Sequence, residues 1–276
     1  MAAKIFDGKA FAAKKELELI KRVEKLRKRR ITPTLACFLI GYNEASKKYI
    51  QMKKRAAERI GAQLDEYNIP PNKPPKQIAQ LIKFISQDKA IHGIMIQLPL
   101  PKAKMPFQKE FIDAIDPKKD VDGLREDSLF TSATVKAVIT ILEEANFDKA
   151  KKITVTGARG EVGRRLIEKL KTLGYPLIGT YDKRDYPKAN NKIKPLKAAC
   201  RDAYAVVSAT GSPKLVTSDI VRRHVVLIDV GFPEGDIDLD SKTIKKARFA
   251  TPVPGGVGPV TVISLLENLV EAAEEN

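Results

Sequence analysis

Apolar residues along the first half of the chain form two kinds of run. Long segments with apolar residues three or four positions apart predict helices, whereas short continuous apolar runs predict buried strands. The runs predict helices over Gly8–Arg30, Ser46–Ile60 and Pro75–Gln87 and strands over Thr34–Gly41, Gln63–Tyr67 and Gly93–Gln97. Because strands alternate with helices, we expect a parallel sheet whose ligands bind beyond the carboxyl ends of the strands.

The same alternation resumes in the second half after a helix predicted over Val135–Ala145. Strands are predicted over Ile153–Gly157, Pro176–Tyr181, Ala205–Ala209 and Val225–Val230, and a closing helix over Val262–Ala273. We therefore predict an α/β fold with two domains. Residues 1–146 form the first domain, completed by residues 262–276 as the C-terminal helix returns to it, and residues 147–261 form the second.

A segment rich in proline and glycine, Thr251–Thr261, reads TPVPGGVGPVT. Proline fixes φ and removes a donor, while glycine admits positive φ and close backbone approach. The pattern predicts a rigid loop with no room for a helix. Such a loop is either the wall of a ligand site or a stiff connector.

Composition is that of a globular protein, with 43% hydrophobic and 30% charged residues. No apolar run approaches the roughly 20 residues of a membrane span, and the first residues lack a signal-peptide pattern, so we expect a cytoplasmic protein. The net charge of +16 suits a nucleic-acid binder or an enzyme with an anionic substrate. Its densest block of positive charge, Lys21–Arg30, has helical spacing and no aromatic residues, which disfavours nucleic-acid binding.

Cys37 and Cys200 lack metal-ligand spacing and are interpreted as reduced thiols.

Three glycines, Gly157, Gly160 and Gly163, stand between a predicted strand and a predicted helix. Their spacing is a variant of the dinucleotide fingerprint, in which glycines let a pyrophosphate approach a helix N-terminus. The alternative is a tightly packed turn without a ligand. The context favours a Rossmann-like NAD(P)-binding domain over residues 147–261.

Asp182 follows the next predicted strand, where a carboxylate binds the adenosine ribose of NAD. Arg159 in the glycine turn, together with Lys183 and Arg184 directly after Asp182, is able to neutralise the additional phosphate of NADP. The choice between NAD and NADP stays open on these residues alone.

Ser46, Tyr49 and Lys53 share one face of the predicted second helix. A lysine acting as a proton acceptor near neutrality needs its pKa lowered by about 3 units from about 10.4. The alternative is an ordinary pair of surface residues. Gln97, at the carboxyl end of a predicted strand and followed by Pro99, holds its amide in a fixed position.

Asp120 and Asp122 lie in the sequence KDVDG. Their spacing is that of a metal loop, but no acidic ligands follow at EF-hand positions, so no metal site is expected. A carboxylate that grips an amino group of a substrate is the preferred interpretation for Asp122, against a turn residue before Gly123.

Six segments in this order resemble the bifunctional methylenetetrahydrofolate dehydrogenase/cyclohydrolase family. They are Ser46–Lys53, Gly93–Lys102, Lys119–Gly123, Gly157–Gly163, Ile228–Gly231 and Thr251–Thr261. The resemblance implies oxidation of methylene-tetrahydrofolate to methenyl-tetrahydrofolate with NADP or NAD, followed by hydrolysis to formyl-tetrahydrofolate. It also implies one-carbon metabolism, purine biosynthesis, a homodimer, and a folate substrate that carries a polyglutamate tail.

The resemblance assigns roles to the candidate residues. Lys53 matches the catalytic lysine, Gln97 the residue that tunes it, Tyr49 the ring that stacks on folate and Asp122 the carboxylate that pairs with the pterin. Further substrate-binding residues implied are Leu98, Pro99, Pro254, Gly255 and Gly256. Cofactor-binding residues implied are Gly157, Ala158, Arg159, Gly163, Asp182, Lys183, Arg184, Gly211 and Phe232. The proline- and glycine-rich loop is then expected to line a cleft beside pterin and nicotinamide.

The cofactor half departs from the family pattern. Ala158 and Arg159 alter the turn, Arg165 stands where proline is usual, and Asp182-Lys183 replaces a usual His-Ser. Two alternatives follow. One is a family member that retains only the cyclohydrolase, with weakened cofactor binding, and the other is a basic nucleic-acid-binding protein on the same fold.

Overall fold

The computed structural model describes residues 3–186 and 193–275. Its strands are β1 (Lys4–Ile5), β2 (Thr34–Ile40), β3 (Gln63–Ile69), β4 (Gly93–Ile96), β5 (Ile153–Thr156), β6 (Ile178–Tyr181), β7 (Ala205–Ser208), β8 (Val225–Asp229) and β9 (Ala247–Ala250). Its α-helices are α1 (Gly8–Lys28), α2 (Glu44–Ile60), α3 (Pro75–Ser86), α4 (Gln108–Asp113), α5 (Ala133–Glu144), α6 (Glu161–Thr172), α7 (Ile193–Cys200), α8 (Ser241–Lys246) and α9 (Val257–Glu274). Short 3-10 helices cover Lys102–Phe107 and Lys183–Asp185.

The first compact unit comprises residues 13–133 and the chain from Val262 onward. Its parallel sheet has the order β3-β2-β4, with the fully buried β2 in the centre. Apolar side chains from the sheet and from α3 and α4 form its core, including Phe38, Ile78 and Phe111. Asn268 on the last helix donates to the Val121 carbonyl at 2.9 Å, which ties the C-terminal helix into this unit.

The second unit comprises residues 134–261 and the described residues up to Ala12. Its parallel sheet has the order β1-β9-β8-β7-β5-β6. β5 lies between β6 and β7, and the chain runs outward in both directions from it. In open α/β sheets such a reversal of strand order is where a ligand binds, beyond the carboxyl ends of the strands.

The units divide differently from the predicted boundaries. Residues 134–146 and the described residues before Ala13 belong to the second unit rather than to the first. β1 pairs with β9, and the ring of Phe6 lies 5.6 Å from that of Phe249. Arg248 donates to the Ala145 carbonyl at 2.8 Å, which holds the end of α5. A two-residue strand has too few positions to show a period, so the sequence pattern did not predict β1.

The proline- and glycine-rich segment contains the start of the last helix. α9 begins at Val257 rather than near Val262, so the prediction that Thr251–Thr261 leaves no room for a helix is wrong for its second half. Pro259 is accommodated because the N–H groups of the first helical turn have no partner within the helix. The remaining loop is held by a hydrogen bond from Gly8 N to Gly255 O, at 2.9 Å, and contains a cis bond between Val253 and Pro254.

Both cysteines are buried with free thiols. Among the described residues, no helix is long and apolar enough to cross a membrane.

Candidate active site

Lys53 lies on α2, a helix that is capped at both ends. The Asn43 side chain accepts a hydrogen bond from Ser46 N at 2.8 Å and starts α2, and Gly61, at φ +82°, ends it. Between these caps Lys53 lies on the buried face, with only 5% of its surface exposed. The surface-pair alternative for Lys53 therefore does not hold.

Gln97 is the polar partner of the Lys53 ammonium group. Its backbone N–H donates to Phe38 O at 2.9 Å, which extends the pairing between β4 and β2. The side-chain Nε2 donates to Leu98 O at 2.7 Å, so Oε1 is turned toward Lys53 and accepts from Nζ at 3.1 Å. The amide orientation is thus fixed by the backbone that follows.

Two sulfur-containing residues complete the surroundings of Lys53. Met95 Sδ accepts from Lys53 Nζ at 3.5 Å, and Cys37 pairs with Met95 across the sheet. Burial raises the pKa of the Cys37 thiol to about 12. The sequence analysis predicted neither Met95 nor Cys37 as a site residue. Their signal was available, because Met95 lies two positions before Gln97 and therefore on the same face of the strand.

The surroundings of Lys53 act on its pKa in both directions, and burial has the largest effect. Burial lowers the pKa of Lys53, while Asp122 and Cys37 oppose that shift. Tyr49 brings its ring centroid to 4.7 Å from Nζ, and burial raises the pKa of its phenol to about 12. Asp122 follows the isolated bridge between Ile94 and Asp120 and is half-buried. Tyr49, Gln97 and Asp122 thus all interact with Lys53: Gln97 by a hydrogen bond, Tyr49 through its ring and Asp122 through its charge.

Asp120 has a different environment from Asp122. It is fully buried, and its Oδ2 accepts from Arg125 N at 2.7 Å. That bond organises the turn around Gly123, whose φ is +65° and whose Cβ, if present, would lie 2.6 Å from Ser132 Cα. Leu98 is half-buried and Pro99 exposed, directly after Gln97.

The glycine turn between β5 and α6 is closely packed against β7. Gly157 has φ +77°, and a Cβ there would collide with the Ala209 carbonyl. A Cβ on Gly163 would collide with the carbonyl of Gly157. Absence of side chains at these two positions leaves the start of α6 accessible, which suits a dinucleotide pyrophosphate.

A pocket of about 240 Å³ adjoins this turn at the carboxyl ends of β5, β6 and β7. It is lined by Gly157, Gly160, Tyr181, Asp182, Lys183, Arg184, Ala209, Thr210, Ser212 and Leu215. Four of the predicted cofactor residues are in this lining, and Ala158, Arg159, Gly163, Gly211 and Phe232 are not.

Asp182 is 5% exposed and is held by two arginines. Arg184 donates from Nε to Oδ1 and from Nη2 to Oδ2, each at 2.8 Å. The backbone N–H groups of Arg184 and Arg159 each add a bond of 3.0 Å. These bonds, led by the Arg184 side chain, hold the pKa of Asp182 well below its usual range.

Family models match both parts of the chain. A model of the tetrahydrofolate dehydrogenase/cyclohydrolase catalytic domain matches residues 6–122, and a model of the NAD(P)-binding domain of the same family matches residues 132–276. The chain belongs to the tetrahydrofolate dehydrogenase/cyclohydrolase family.

Full-length relatives agree with this assignment. The chain is 35% identical over 290 residues to the bifunctional protein FolD of Moorella thermoacetica, covering 99% of each. It superposes with a TM-score of 0.90 and 31% identity on the FolD methylenetetrahydrofolate dehydrogenase/cyclohydrolase of Campylobacter jejuni, covering 99% of each chain. It also superposes with a TM-score of 0.90 and 26% identity on the FolD of Trypanosoma brucei in complex with NADP and an inhibitor, covering 100% of this chain and 98% of that one. The family resemblance and the two-domain α/β fold with an NAD(P)-binding domain are confirmed. Neither the cyclohydrolase-only alternative nor the nucleic-acid-binding alternative is favoured.

Arg165, which departs from the pattern expected of the tetrahydrofolate dehydrogenase/cyclohydrolase family, pairs with an acidic residue at the start of α6. Its Nε donates to the Glu161 carboxylate at 2.6 Å, and Arg164 lies 3.7 Å from the same carboxylate. Glu161 is the first residue of α6, next to the accessible turn. The two arginines therefore offset a negative charge that would otherwise repel an anion there.

Two buried aspartates organise the loops after β7 and β8 in this family member. Asp229 accepts from the backbone N–H groups of Gly231, Asp236 and Ile237 at 2.8 to 3.0 Å. Asp236 in turn accepts from Thr210 N at 2.6 Å and from the Ser208 hydroxyl at 3.0 Å. Burial raises the pKa of Asp229 to about 6. Asp236 was missed from the sequence, since an aspartate in PEGD is indistinguishable from a turn residue.

The remaining predicted residues lie in loops of the second unit. Pro254 is exposed, Gly255 has φ +106°, and Gly256 N donates to Pro252 O at 2.8 Å. Gly211 has φ +60° with open space around it, and Phe232 is 63% exposed. Their contributions to ligand binding stay predictions.

Proposed function

We propose that this chain oxidises methylene-tetrahydrofolate to methenyl-tetrahydrofolate with NAD(P)+ and hydrolyses the product to formyl-tetrahydrofolate. The observation that carries the proposal is the buried Lys53, held by Gln97 and with a lowered pKa. A neutral amine in such a position is a proton acceptor, whereas an exposed lysine is not. Family membership supplies the substrate class.

Lys53 is the proton-transfer group of the hydrolysis. The methenyl carbon carries positive charge, which disfavours the charged form of a nearby lysine and adds to the effect of burial. As water adds to that carbon, one of its protons passes to Nζ. Nζ then returns this proton to the ring nitrogen whose bond to the carbon breaks. The remaining hydroxyl proton is released to solvent as the carbonyl of the formyl group forms on the other nitrogen, so that the hydrolysis releases one proton in total.

Gln97, Tyr49 and Asp122 position the lysine and the substrate. Gln97 Oε1 accepts from Nζ, which directs the nitrogen lone pair away from the strand. The Tyr49 ring offers a flat apolar face for the folate ring system, and its raised phenol pKa keeps it neutral. The Asp122 carboxylate accepts from the amino group of the pterin edge.

The second unit binds the dinucleotide through the Gly157–Gly163 turn and the pocket beside it. A nicotinamide bound there would supply the acceptor for the hydride of the methylene carbon. The turn contributes backbone N–H groups and the positive end of α6 for the pyrophosphate, and the Asp229 and Asp236 network fixes the loops beside it. NADP is the proposed cofactor, supported by the cations near the end of β6.

Two assays on the purified protein test this function. We expect methylene-tetrahydrofolate to support reduction of NADP+, followed by absorbance, and added methenyl-tetrahydrofolate to lose its absorbance faster than in buffer. Absence of reduction with either nicotinamide would overturn the dehydrogenase half. Hydrolysis no faster than in buffer would overturn the cyclohydrolase half.

We further propose a cytoplasmic homodimer that accepts polyglutamylated folate. The net charge of +16 supports attraction of an acidic tail. Light scattering coupled to gel filtration is expected to give twice the mass of the chain.

KM for a pentaglutamate substrate is expected to lie below the KM for the monoglutamate, and the difference is expected to shrink as the salt concentration is raised. A single-chain mass, or equal KM values at low salt, would contradict the respective proposal.

A further inference from the structure

The carboxylate that is expected to recognise NAD has no acceptor position left. A carboxylate offers about four lone-pair positions, and Asp182 uses one on each backbone N–H group and two on the Arg184 side chain. Binding a ribose hydroxyl would require one of these bonds to break. Because Asp182 is buried, losing a bond to a charged donor costs more than the new bond to a neutral hydroxyl returns.

Arg184 is held with part of its guanidinium facing outward. Its bonds to Asp182 use two of the five guanidinium N–H groups, and no described residue accepts from the other three. The Arg184 side chain is 54% exposed and lines the pocket beside Gly157 and Gly160. A guanidinium fixed in this way matches the oxygens of a phosphate, and little side-chain entropy is lost on binding.

The surrounding charges favour an anion. Arg159, Lys183 and Arg184 give three positive charges against the two of Asp182 and Asp185. Asp185 is paired with Arg159, with Nη1 and Oδ1 3.0 Å apart. Both carboxylates are therefore engaged by arginines, and Lys183 is exposed at the pocket.

We propose that Arg184, positioned by Asp182, binds the 2′-phosphate of the dinucleotide and selects NADP over NAD. The inference rests on the proposed dehydrogenase function. Asp182 is then a positioning residue rather than a ligand of the ribose. The aspartate predicted to favour NAD instead contributes to excluding it.

Binding measurements without the folate reaction test this inference. By titration calorimetry at one salt concentration, we expect the wild-type protein to bind adenosine 2′,5′-bisphosphate about tenfold or more tightly than 5′-AMP, which lacks only the 2′-phosphate. Arg184→Ala is expected to remove that difference. It also frees the Asp182 carboxylate, so NAD+ is expected to bind no more weakly than to the wild type.

Arg223→Ala is the matched control, because it removes one exposed arginine just before β8, away from the pocket. We expect it to keep the wild-type preference. Asp182→Asn is expected to weaken NADP+ binding, since Arg184 loses its charged partner. Equal binding of the two adenosine probes by the wild type, or a preference that survives Arg184→Ala, would overturn the inference. If the wild type binds both NADP+ and NAD+ with equal affinity, only the inference fails, whereas binding of neither overturns the dehydrogenase function as well.

Discussion

At the scale of single residues, the proposed hydrolysis depends on a lysine that is kept away from water. Lys53 is surrounded by a thioether, an amide oxygen and an aromatic ring, with Asp122 as the charge that opposes deprotonation. The spacing of Tyr49 and Lys53 indicated a shared helix face. It did not decide between solvent and core, because that choice depends on which face of α2 packs against the sheet.

Replacing Gln97 with glutamate tests the control of the Lys53 pKa. A carboxylate at the position of Oε1, 3.1 Å from Nζ, stabilises the ammonium form and raises the lysine pKa. In the proposed mechanism hydrolysis needs the neutral amine, so its rate is expected to rise with pH through that pKa. We expect the ascending limb of the pH–rate profile in Gln97→Glu to move to higher pH. The rate at neutral pH is expected to fall about tenfold for each pH unit by which the limb moves.

Gln77→Glu is the matched control, since it adds the same charge at an exposed position in the first turn of α3. Its profile is expected to follow the wild type. An unshifted limb in Gln97→Glu would show that the observed pH dependence does not report Lys53.

At the scale of elements, the local sequence pattern predicted the long helices and the central strands. The short strands at the edge of the second sheet depend instead on pairing with strands distant in sequence. β9 and β1 are short and are held by neighbours distant in sequence. The side-chain contact between Arg184 and Asp182 was not readable from their adjacency, because residues two apart meet only in particular backbone conformations. Here Asp182 caps the 3-10 helix Lys183–Asp185 and so brings the two together.

The space available for a Cβ atom differs between Gly157, in the glycine turn, and Gly174. Gly157 and Gly174 have nearly the same positive φ, +77° and +78°, but a Cβ meets the Ala209 carbonyl at the first and nothing within 4 Å at the second. In both alanine variants the backbone conformation costs about 1–2 kcal/mol. We expect Gly157→Ala, but not Gly174→Ala, to lose dinucleotide binding, measured by titration calorimetry. Gly157→Ala is also expected to unfold at a lower temperature than Gly174→Ala. Equal effects of the two substitutions would contradict the packing of the turn.

At the scale of the whole molecule, the buried Asp229 of the second unit couples stability to pH. Burial raises the folded-state pKa of Asp229 to about 6, above its ordinary value of 3.8, so the folded state binds its proton more tightly than the unfolded state. Stability from this group is fully present below the unfolded pKa and declines as pH rises through about 6. The difference between the two pKa values corresponds to at most about 3 kcal/mol.

Urea unfolding at pH 4.5 and pH 7.5 measures this coupling. We expect the free energy of unfolding of the wild type, relative to Asp229→Asn, to decrease between the two values, because the amide does not titrate. Asp240→Asn is the control. Asp240 caps α8 and its lowered pKa places its titration below this window. A constant difference between wild type and Asp229→Asn would show that Asp229 does not titrate there.

In the proposed mechanism, one buried lysine performs the hydrolysis, while the dehydrogenase needs alignment of two bound molecules. The most direct test is the Lys53→Met variant, assayed for both reactions in one preparation. Lys54→Met is the control, because it changes the neighbouring, more exposed lysine, whose Nζ lies 3.8 Å from Glu66 Oε1. We expect Lys53→Met to lose cyclohydrolase activity by about a hundredfold or more while folate-dependent reduction of NADP+ persists, and Lys54→Met to keep both. Full cyclohydrolase activity in Lys53→Met would contradict the mechanism.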